Sequence, residues 1–211
     1  MSTRPLLLLG AGGLAREVIA AARSVDDVKV VGVLDDNPER HGHDLDGVPV
    51  LGGTELVHEH PDAGVLACIA SVARLGARQA VVERLGLADE RWARLVHPAA
   101  TVAPGTEIGR GTVLLAGVVV TAPVAIGAHV IAMPHGLVTH DCEVGDHVTL
   151  AGRVALGGGV RLLRGAYLGQ GALVREYRTV GEGAVVGMGS VLLHDVPAGE
   201  TWVGNPARRL R

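Results

Sequence analysis

Residues 96–144 read VHPAATVAPGTEIGRGTVLLAGVVVTAPVAIGAHVIAMPHGLVTHDCEV, and the spacing inside that stretch decides the fold. Stepping by six from Val96 lands on Val102, Ile108, Leu114, Val120, Ile126, Ala132, Val138 and Val144. The series continues through Leu150, Leu156, Leu162, Leu168, Val174, Val180, Val186 and Leu192. Sixteen of these seventeen positions are Val, Ile or Leu, with Ala132 the exception; composition alone would give roughly a third of that. A helix cannot use this period, because six steps of about 100° scatter the residues around its axis, whereas a three-sided strand-and-turn coil can. Three hexapeptides make one triangular turn, with each corner expected to point an aliphatic side chain into the stack. Ile108-Gly109, Ile126-Gly127, Val144-Gly145 and Val180-Gly181 recur at multiples of 18, and the glycine is expected where the backbone turns tightly. Leu162-Leu163 breaks that rule.

Upstream the pattern changes. Residues 5 to about 92 alternate short apolar runs with helical periodicity, as βαβ units do. Strands are expected at Leu6–Leu9, Val28–Leu34, Val48–Leu51 and Val65–Ala70, and helices at Leu14–Arg23, Thr54–Glu59 and Ala73–Leu85. The order suggests a small open parallel sheet flanked by helices. The expected architecture is therefore an α/β Rossmann-like domain over residues 1–92 followed by a parallel β-helix over residues 93–211.

The composition removes several classes of function. A formal net charge of −3 gives no reason to expect a nucleic-acid or membrane surface. The apolar run Leu6–Leu9 is cut short by Gly10-Ala11-Gly12-Gly13, too soon for a signal-peptide core or a membrane span. Cys68 and Cys142 lie far apart and fit neither a disulfide framework nor a Cys-x-x-Cys metal site, which agrees with a cytoplasmic protein.

The run from Val96-His97-Pro98-Ala99-Ala100-Thr101-Val102 through the Ile-Gly repeats, His140-Asp141-Cys142-Glu143-Val144-Gly145-Asp146 and the closing Val203-Gly204-Asn205-Pro206-Ala207 resembles the hexapeptide-repeat sugar acyltransferases. The N-terminal Leu9-Gly10-Ala11-Gly12-Gly13-Leu14-Ala15-Arg16-Glu17, with Asp35-Asp36, narrows the resemblance. It points to the bacterial subfamily that N-acetylates UDP- or GDP-linked 4-amino sugars or O-acetylates sialic acids. The resemblance implies a left-handed coil, a nucleotide-sugar site in the N-terminal domain, a homotrimer, and acetyl-CoA as co-substrate lying between neighbouring β-helices, with no metal.

Candidate site residues follow. Gly10, Gly12 and Gly13 sit where the first strand turns into a helix, so their N–H groups could reach a pyrophosphate; the other reading is a tight βα turn. Asp35 and Asp36 could bind ribose hydroxyls or a base edge, and Ser71 lies on the same carboxyl edge of the sheet. His140 is the candidate general base, since imidazole titrates near neutral pH and can take the proton of an attacking amine. The resemblance implies that Asp141 orients it; the other reading is an exposed corner among ten histidines. Eighteen residues on lies Gly158, whose N–H could hold the acetyl carbonyl, unless it is simply a flexible corner. Coenzyme contacts are expected at Thr149, Gly169, Asn205 and Arg208, the last suited to phosphates by charge.

The chain departs from the pattern at Met133, where a polar residue is usual, at Thr149, where some members have a second histidine, and at Pro134 and His135 in place of small residues. The acceptor sugar therefore stays open. His135 and His140, five apart, match two zinc ligands of β-helical carbonic anhydrases, yet Ala99–Pro104 supplies no third histidine. The glycine motif also permits an NAD-dependent dehydrogenase, against which the N-terminal domain is too short for both halves of a dinucleotide fold. A nonenzymatic trimeric scaffold is the third alternative.

Overall fold

The structure, a computed structural model, describes residues 3–210. The N-terminal half forms a five-stranded sheet from β1 (Arg4–Leu9), β2 (Val28–Leu34), β3 (Asp44–Leu45), β4 (Val48–Gly52) and β5 (Gly64–Ala67), ordered β3-β4-β2-β1-β5. Helix α1 (Gly13–Ala22) joins β1 to β2, and α2 (Ala77–Leu85) follows β5. Strand β1 is central, so Leu6 and Leu8 enter one apolar layer and Leu7 and Leu9 the other, all four buried. A strand covered on both faces needs an unbroken apolar run, which is what Leu6–Leu9 supplies.

The structure corrects details of the expected sheet. The short β3 pairs antiparallel with β4, so the sheet is mixed at that edge. Strand β5 ends at Ala67, not Ala70, and Thr54–Glu59 forms a 3-10 helix. The helix expected over Ala73–Leu85 is split, because Gly76 adopts φ +79 and separates a 3-10 turn, Val72–Arg74, from α2. A left-handed residue cannot continue a right-handed helix.

From Leu95 onward, two-residue strands stack with an 18-residue offset, as in Val119↔Leu137 and Ala125↔Glu143. They form three parallel faces. The first, which carries the N-terminal half, runs from Leu95–Val96 through Val113–Leu114, Ile131–Ala132, Thr149–Leu150, Tyr167–Leu168 and Val185–Val186 to the tail strands Thr201–Val203 and Arg208–Arg209. Leu137–Val138 lies on the second face and Glu143–Val144 on the third.

The inward aliphatics sit on the flat faces, as the second residue of each strand, and not at the corners as expected. The turn occurs three residues later, where His129, His135, Asp141, His147, Arg153 and Tyr177 all have positive φ. Gly109, Gly127 and Gly145 therefore do not make the turn. Glycine is required there because a Cβ would lie 2.3 Å from the Gly127 carbonyl carbon, 2.6 Å from the Asp146 nitrogen and 2.9 Å from the Leu162 oxygen respectively, each in the next coil. A second inward row, unseen in the six-residue reading, stands two residues before the aliphatics: Val118, Val130, Val148, Val154, Val160, Ala166, Ala172 and Ala184, all fully buried. Its polar members bond locally: the Thr112 hydroxyl donates to the Gly127 oxygen (2.8 Å) and accepts from the Val130 N–H (3.0 Å).

The two halves share a core. Ala15, Val18 and Ile19 of α1 pack with Leu95, Val113, Leu115 and Ile131, the outward side chains of the first face. That face is hereafter the docking face.

Candidate active site

In the sheet order, β1 separates β2 from β5, so the chain crosses to opposite sides of β1 and leaves a crevice at the carboxyl ends of these strands. Gly10 turns there with φ +95, and a Cβ would approach Ile69 Cγ1 to 3.1 Å and the Cys68 oxygen to 3.3 Å. Gly12 precedes α1 without any side-chain cap, the first turn has no acid, and nothing lies within 4 Å of where a Cβ of Gly12 or Gly13 would be. The N–H groups of Gly13 and Leu14 have no hydrogen-bond partner among the described residues, the condition under which a helix start can bind an anion.

Asp35 and Asp36 have work inside the chain. The Ala11 N–H donates to Asp35 Oδ2 (2.6 Å), the Asn37 N–H to Oδ1 (2.9 Å), and Arg40 also reaches Oδ2 (3.2 Å). Asp35 thus holds the glycine loop in shape. Asp36 accepts from the Thr54 N–H (2.9 Å), the Thr54 hydroxyl (2.6 Å) and Arg84 (2.6 Å). Burial works to raise its pKa, but the Thr54 hydrogen bonds and the Arg84 charge prevail and hold it below the ordinary carboxylate value. Ser71 is exposed just beyond β5, ahead of the 3-10 turn.

His140 stands on the edge between the second and third faces. Its Nδ1 lies 2.8 Å from Asp141 Oδ2, and the two side chains are 60% and 78% exposed. With Nδ1 turned to the carboxylate, Nε2 is the nitrogen left to act. Asp141 occupies the left-handed corner at φ +60, which aims its carboxylate back at the ring. Gly158, one coil on, lies under the imidazole: a Cβ there would sit 2.4 Å from His140 Cε1 and 2.6 Å from Nε2. The backbone is tied at the same point, since the Gly159 N–H donates to the His140 oxygen (3.0 Å). Gly158 itself is not in the left-handed region, so it is neither a flexible corner nor a turn glycine; it leaves the ring room.

The residues expected at the coenzyme scatter. Thr149 is buried on the docking face and accepts from Arg78 (3.0 Å). Gly169 donates its N–H to the Val186 oxygen (2.7 Å) and its oxygen accepts from Ala172 (3.0 Å), leaving a packing role beneath Met188. Asn205 and Arg208 are exposed on the C-terminal tail, where Arg208–Arg209 pairs antiparallel with Thr201–Val203.

Within one chain the two ends of the site are apart, because the His140 edge of the prism is the one opposite the docking face. His135 and His140 also occupy different edges, which separates the pair proposed as zinc ligands. Among the described residues no group of three or more His, Cys, Asp or Glu could hold a metal ion.

Three features escaped the sequence reading. A cleft of about 670 Å³ opens between α1 and the edge joining the docking and second faces, lined by Glu17, His97, Met133, His135, Arg153 and Gln170 among others. His129 and His147 stack in parallel, ring centroids 5.0 Å apart, with Trp92 edge-on to His129 at 4.6 Å. Burial, then the nearby Arg78 charge, lowers the His129 pKa to about 4; burial, then His129 and Arg78, lowers His147 to about 4. The third is Arg78 itself, buried between the halves and donating to the oxygens of Ile69 (2.6 Å) and His147 (2.6 Å). The 18-residue spacing of His129 and His147 was the available signal for the pair. Cys68 is inert by comparison, since burial pushes its thiol up to about 12.

Residues 5–85 match the model of the PglD N-terminal domain. No curated protein matches the chain. Among solved structures, the acetyltransferase domain of PglB from Neisseria gonorrhoeae is 30% identical, with TM-score 0.86, and the match covers 99% of this chain and 100% of that one. The same domain is known in complex with acetyl coenzyme A. A mutant of perosamine N-acetyltransferase from Caulobacter crescentus, in complex with CoA and GDP-perosamine, is 29% identical with TM-score 0.87, covering 98% and 97%. WeeI from Acinetobacter baumannii is 28% identical with TM-score 0.80, covering 99% and 100%. The parallel-sheet domain followed by a left-handed β-helix is the fold shared with these proteins.

Proposed function

The chain belongs to the hexapeptide-repeat sugar N-acetyltransferase family, and from that premise we propose that it transfers acetyl from acetyl-CoA to the amino group of a nucleotide-linked sugar, with His140 as general base. It is an acyltransferase that uses acetyl-CoA as co-substrate. The observation that carries the finer reading is the His140–Asp141 pair laid over Gly158 on an open edge.

The chemistry follows from that geometry. The sugar nitrogen attacks the thioester carbonyl, a C–N bond forms, and His140 Nε2 takes the proton that the nitrogen must lose. Asp141 holds the ring with Nε2 outward and stabilises the imidazolium. The Gly158 N–H, which donates to no group among the described residues, can meet the developing oxyanion. As the C–S bond breaks, the proton passes from His140 to the departing thiolate, so the base is restored.

The acceptor's diphosphate is assigned to the open first turn of α1, with Gly10 shaping the loop, Asp35 bracing it and Asp36 and Ser71 at the same crevice. Because His140 projects from the edge opposite the docking face, the site is completed by a neighbouring copy, and a cyclic trimer lets each edge meet the next chain's N-terminal domain. Thr149, Gly169, Asn205 and Arg208 remain the proposed coenzyme residues, Asn205 and Arg208 from the exposed tail, Thr149 beside Arg78 and Gly169 by shaping its coil. We draw the domain boundary between residues 92 and 93. No helix among the described residues is long and apolar enough to cross a membrane; two free buried thiols fit a reducing cytoplasm.

The test is turnover of acetyl-CoA against a panel of UDP-, GDP- and dTDP-linked amino sugars, followed by release of free thiol. Turnover with at least one amine acceptor, lost in His140→Ala with nucleotide binding retained, is expected. Turnover only with hydroxyl acceptors would move the assignment to O-acetylation, and unchanged activity in His140→Ala would remove the proposed base.

A further inference from the structure

Arg78 is a buried cation without an anion. Its residue is only 6% exposed, yet every partner is neutral: the Ile69 oxygen (2.6 Å), the His147 and Val148 oxygens (2.6 and 3.2 Å) and the Thr149 hydroxyl (3.0 Å). Its Nε–H is buried and has no partner among the described residues. Burial draws the guanidinium pKa down to about 10, which still leaves it charged at neutral pH. A buried charge without compensation is costly, and the usual remedies are a carboxylate or a bound anion. Among the described residues no carboxylate is hydrogen-bonded to it. The cleft that Arg78 lines is also bounded by Ser71, Arg74, Gln79, Thr149 and Tyr167, and none of its lining residues is Asp or Glu.

A second feature points the same way. Helix α2 begins at this cleft behind Gly76, with no side-chain cap and no acid in its first turn. Its first internal hydrogen bond runs from the Ala80 N–H to the Gly76 oxygen (2.9 Å), so the N–H groups of Ala77, Arg78 and Gln79 precede the ladder. Two arginines, a hydroxyl and the positive end of a helix thus converge on a small cleft of about 30 Å³ between the halves, room for a single group and not for a whole substrate.

We propose that this cleft is a second anion site, distinct from the first turn of α1, and that it takes a phosphoryl group of one of the two substrates, Arg78 forming its base and Arg74 its movable rim. The proposal rests on the acetyltransferase reading for the source of the phosphate, and on the geometry alone for the site. Both the nucleotide sugar and CoA carry phosphates, and binding to either side of the cleft would tighten the contact between the nucleotide domain and the β-helix.

Calorimetric titration of the full chain with inorganic pyrophosphate, GDP, UDP, CoA, and phosphate-free pantetheine tests this. Wild type is compared with Arg74→Gln and Arg74→Glu, whose exposed side chain can be changed without opening the core. Losing one charge-assisted phosphate contact is expected to weaken binding about tenfold or more, with pyrophosphate weakened as well. A loss confined to the nucleoside diphosphates assigns the phosphate to the acceptor, and one confined to CoA assigns it to the coenzyme. Pyrophosphate binding in wild type that fails in Arg74→Glu, with neither nucleotide nor CoA binding, would uphold the site and defeat the acetyltransferase reading. Unchanged affinity for all phosphate ligands in both variants would overturn the proposal, as would an equal weakening of pantetheine, which signals general disruption.

Discussion

Replacing Gly158 by alanine isolates the geometry under His140. The new Cβ would stand 2.4 Å from Cε1 and 2.6 Å from Nε2 of the imidazole, where ordinary contact begins near 3.4 Å. The ring must retreat by about 1 Å. Because the obstructing atoms are the end of an exposed side chain and Gly158 has no positive φ, the fold should barely notice, with a stability change within about 0.5 kcal/mol. The retreat, however, lifts Nε2 away from the reacting nitrogen and strains the 2.8 Å contact with Asp141. A misplacement of that size costs on the order of 100-fold in rate, equivalent to about 2.7 kcal/mol of transition-state stabilisation. Steady-state thiol release should therefore show kcat reduced about 100-fold with the acceptor KM nearly unchanged. Gly157→Ala is the control, since its Cβ would meet the Glu176 nitrogen at 2.7 Å and backbone cannot swing away; overpacking should cost about 1–3 kcal/mol and appear chiefly in the melting temperature. Wild-type kcat in a folded Gly158→Ala protein would refute the placement of His140 in the reaction.

Further outcomes are expected. Asp141→Asn keeps a side chain that tolerates φ +60 but removes the charge, so kcat should fall by about 10-fold or more with the melting temperature preserved, as thermal denaturation and kinetics together would show. Chains carrying His140→Ala and chains carrying Gly13→Asp should each be inactive alone, and mixing them by co-expression should restore part of the activity, since an intact edge then meets an intact loop; no recovery in verified mixed oligomers would contradict a site shared between copies. His129 and His147 have folded pKa values of about 4 against about 6.5 unfolded, so between these limits the unfolded chain takes up protons that the folded one refuses. Their contribution to stability is complete above about pH 6.5 and is lost as the pH falls toward 4. The melting temperature should drop across that window, and the double variant His129→Asn/His147→Asn, suited to the left-handed corners, should flatten the drop.

The six-residue period was legible because one inward row carries almost nothing but Val, Ile and Leu. The second inward row was not, since it mixes Val130, Ala166, Thr112, Cys142 and Ser190, and smallness without a shared polarity leaves no hydropathy signal. The glycines were visible, but their reason was not: Gly109 and Gly145 are demanded by the coil stacked against them, a contact between residues about 18 apart that local turn rules do not consider. The same limit applied to the site. The pairing of His140 with Asp141 was legible through the family resemblance, and in the structure the two neighbours meet at 2.8 Å. At Asp35 motif logic points only to a ligand contact and stops at the loop; that its carboxylate also braces the loop through Ala11 and Asn37 is visible only in the fold. Arg78 left no trace, because three of its partners are backbone oxygens that any residue could supply.

The most direct measurement is single-turnover transfer of labelled acetyl from acetyl-CoA to a nucleotide-linked amino sugar by wild type and His140→Asn, with acceptor binding measured on the same samples. The account requires amide product from wild type, and from the variant a rate at least about 100-fold lower at undiminished acceptor affinity. Equal rates in the two proteins would show that the edge bearing His140 is not where acetyl is transferred.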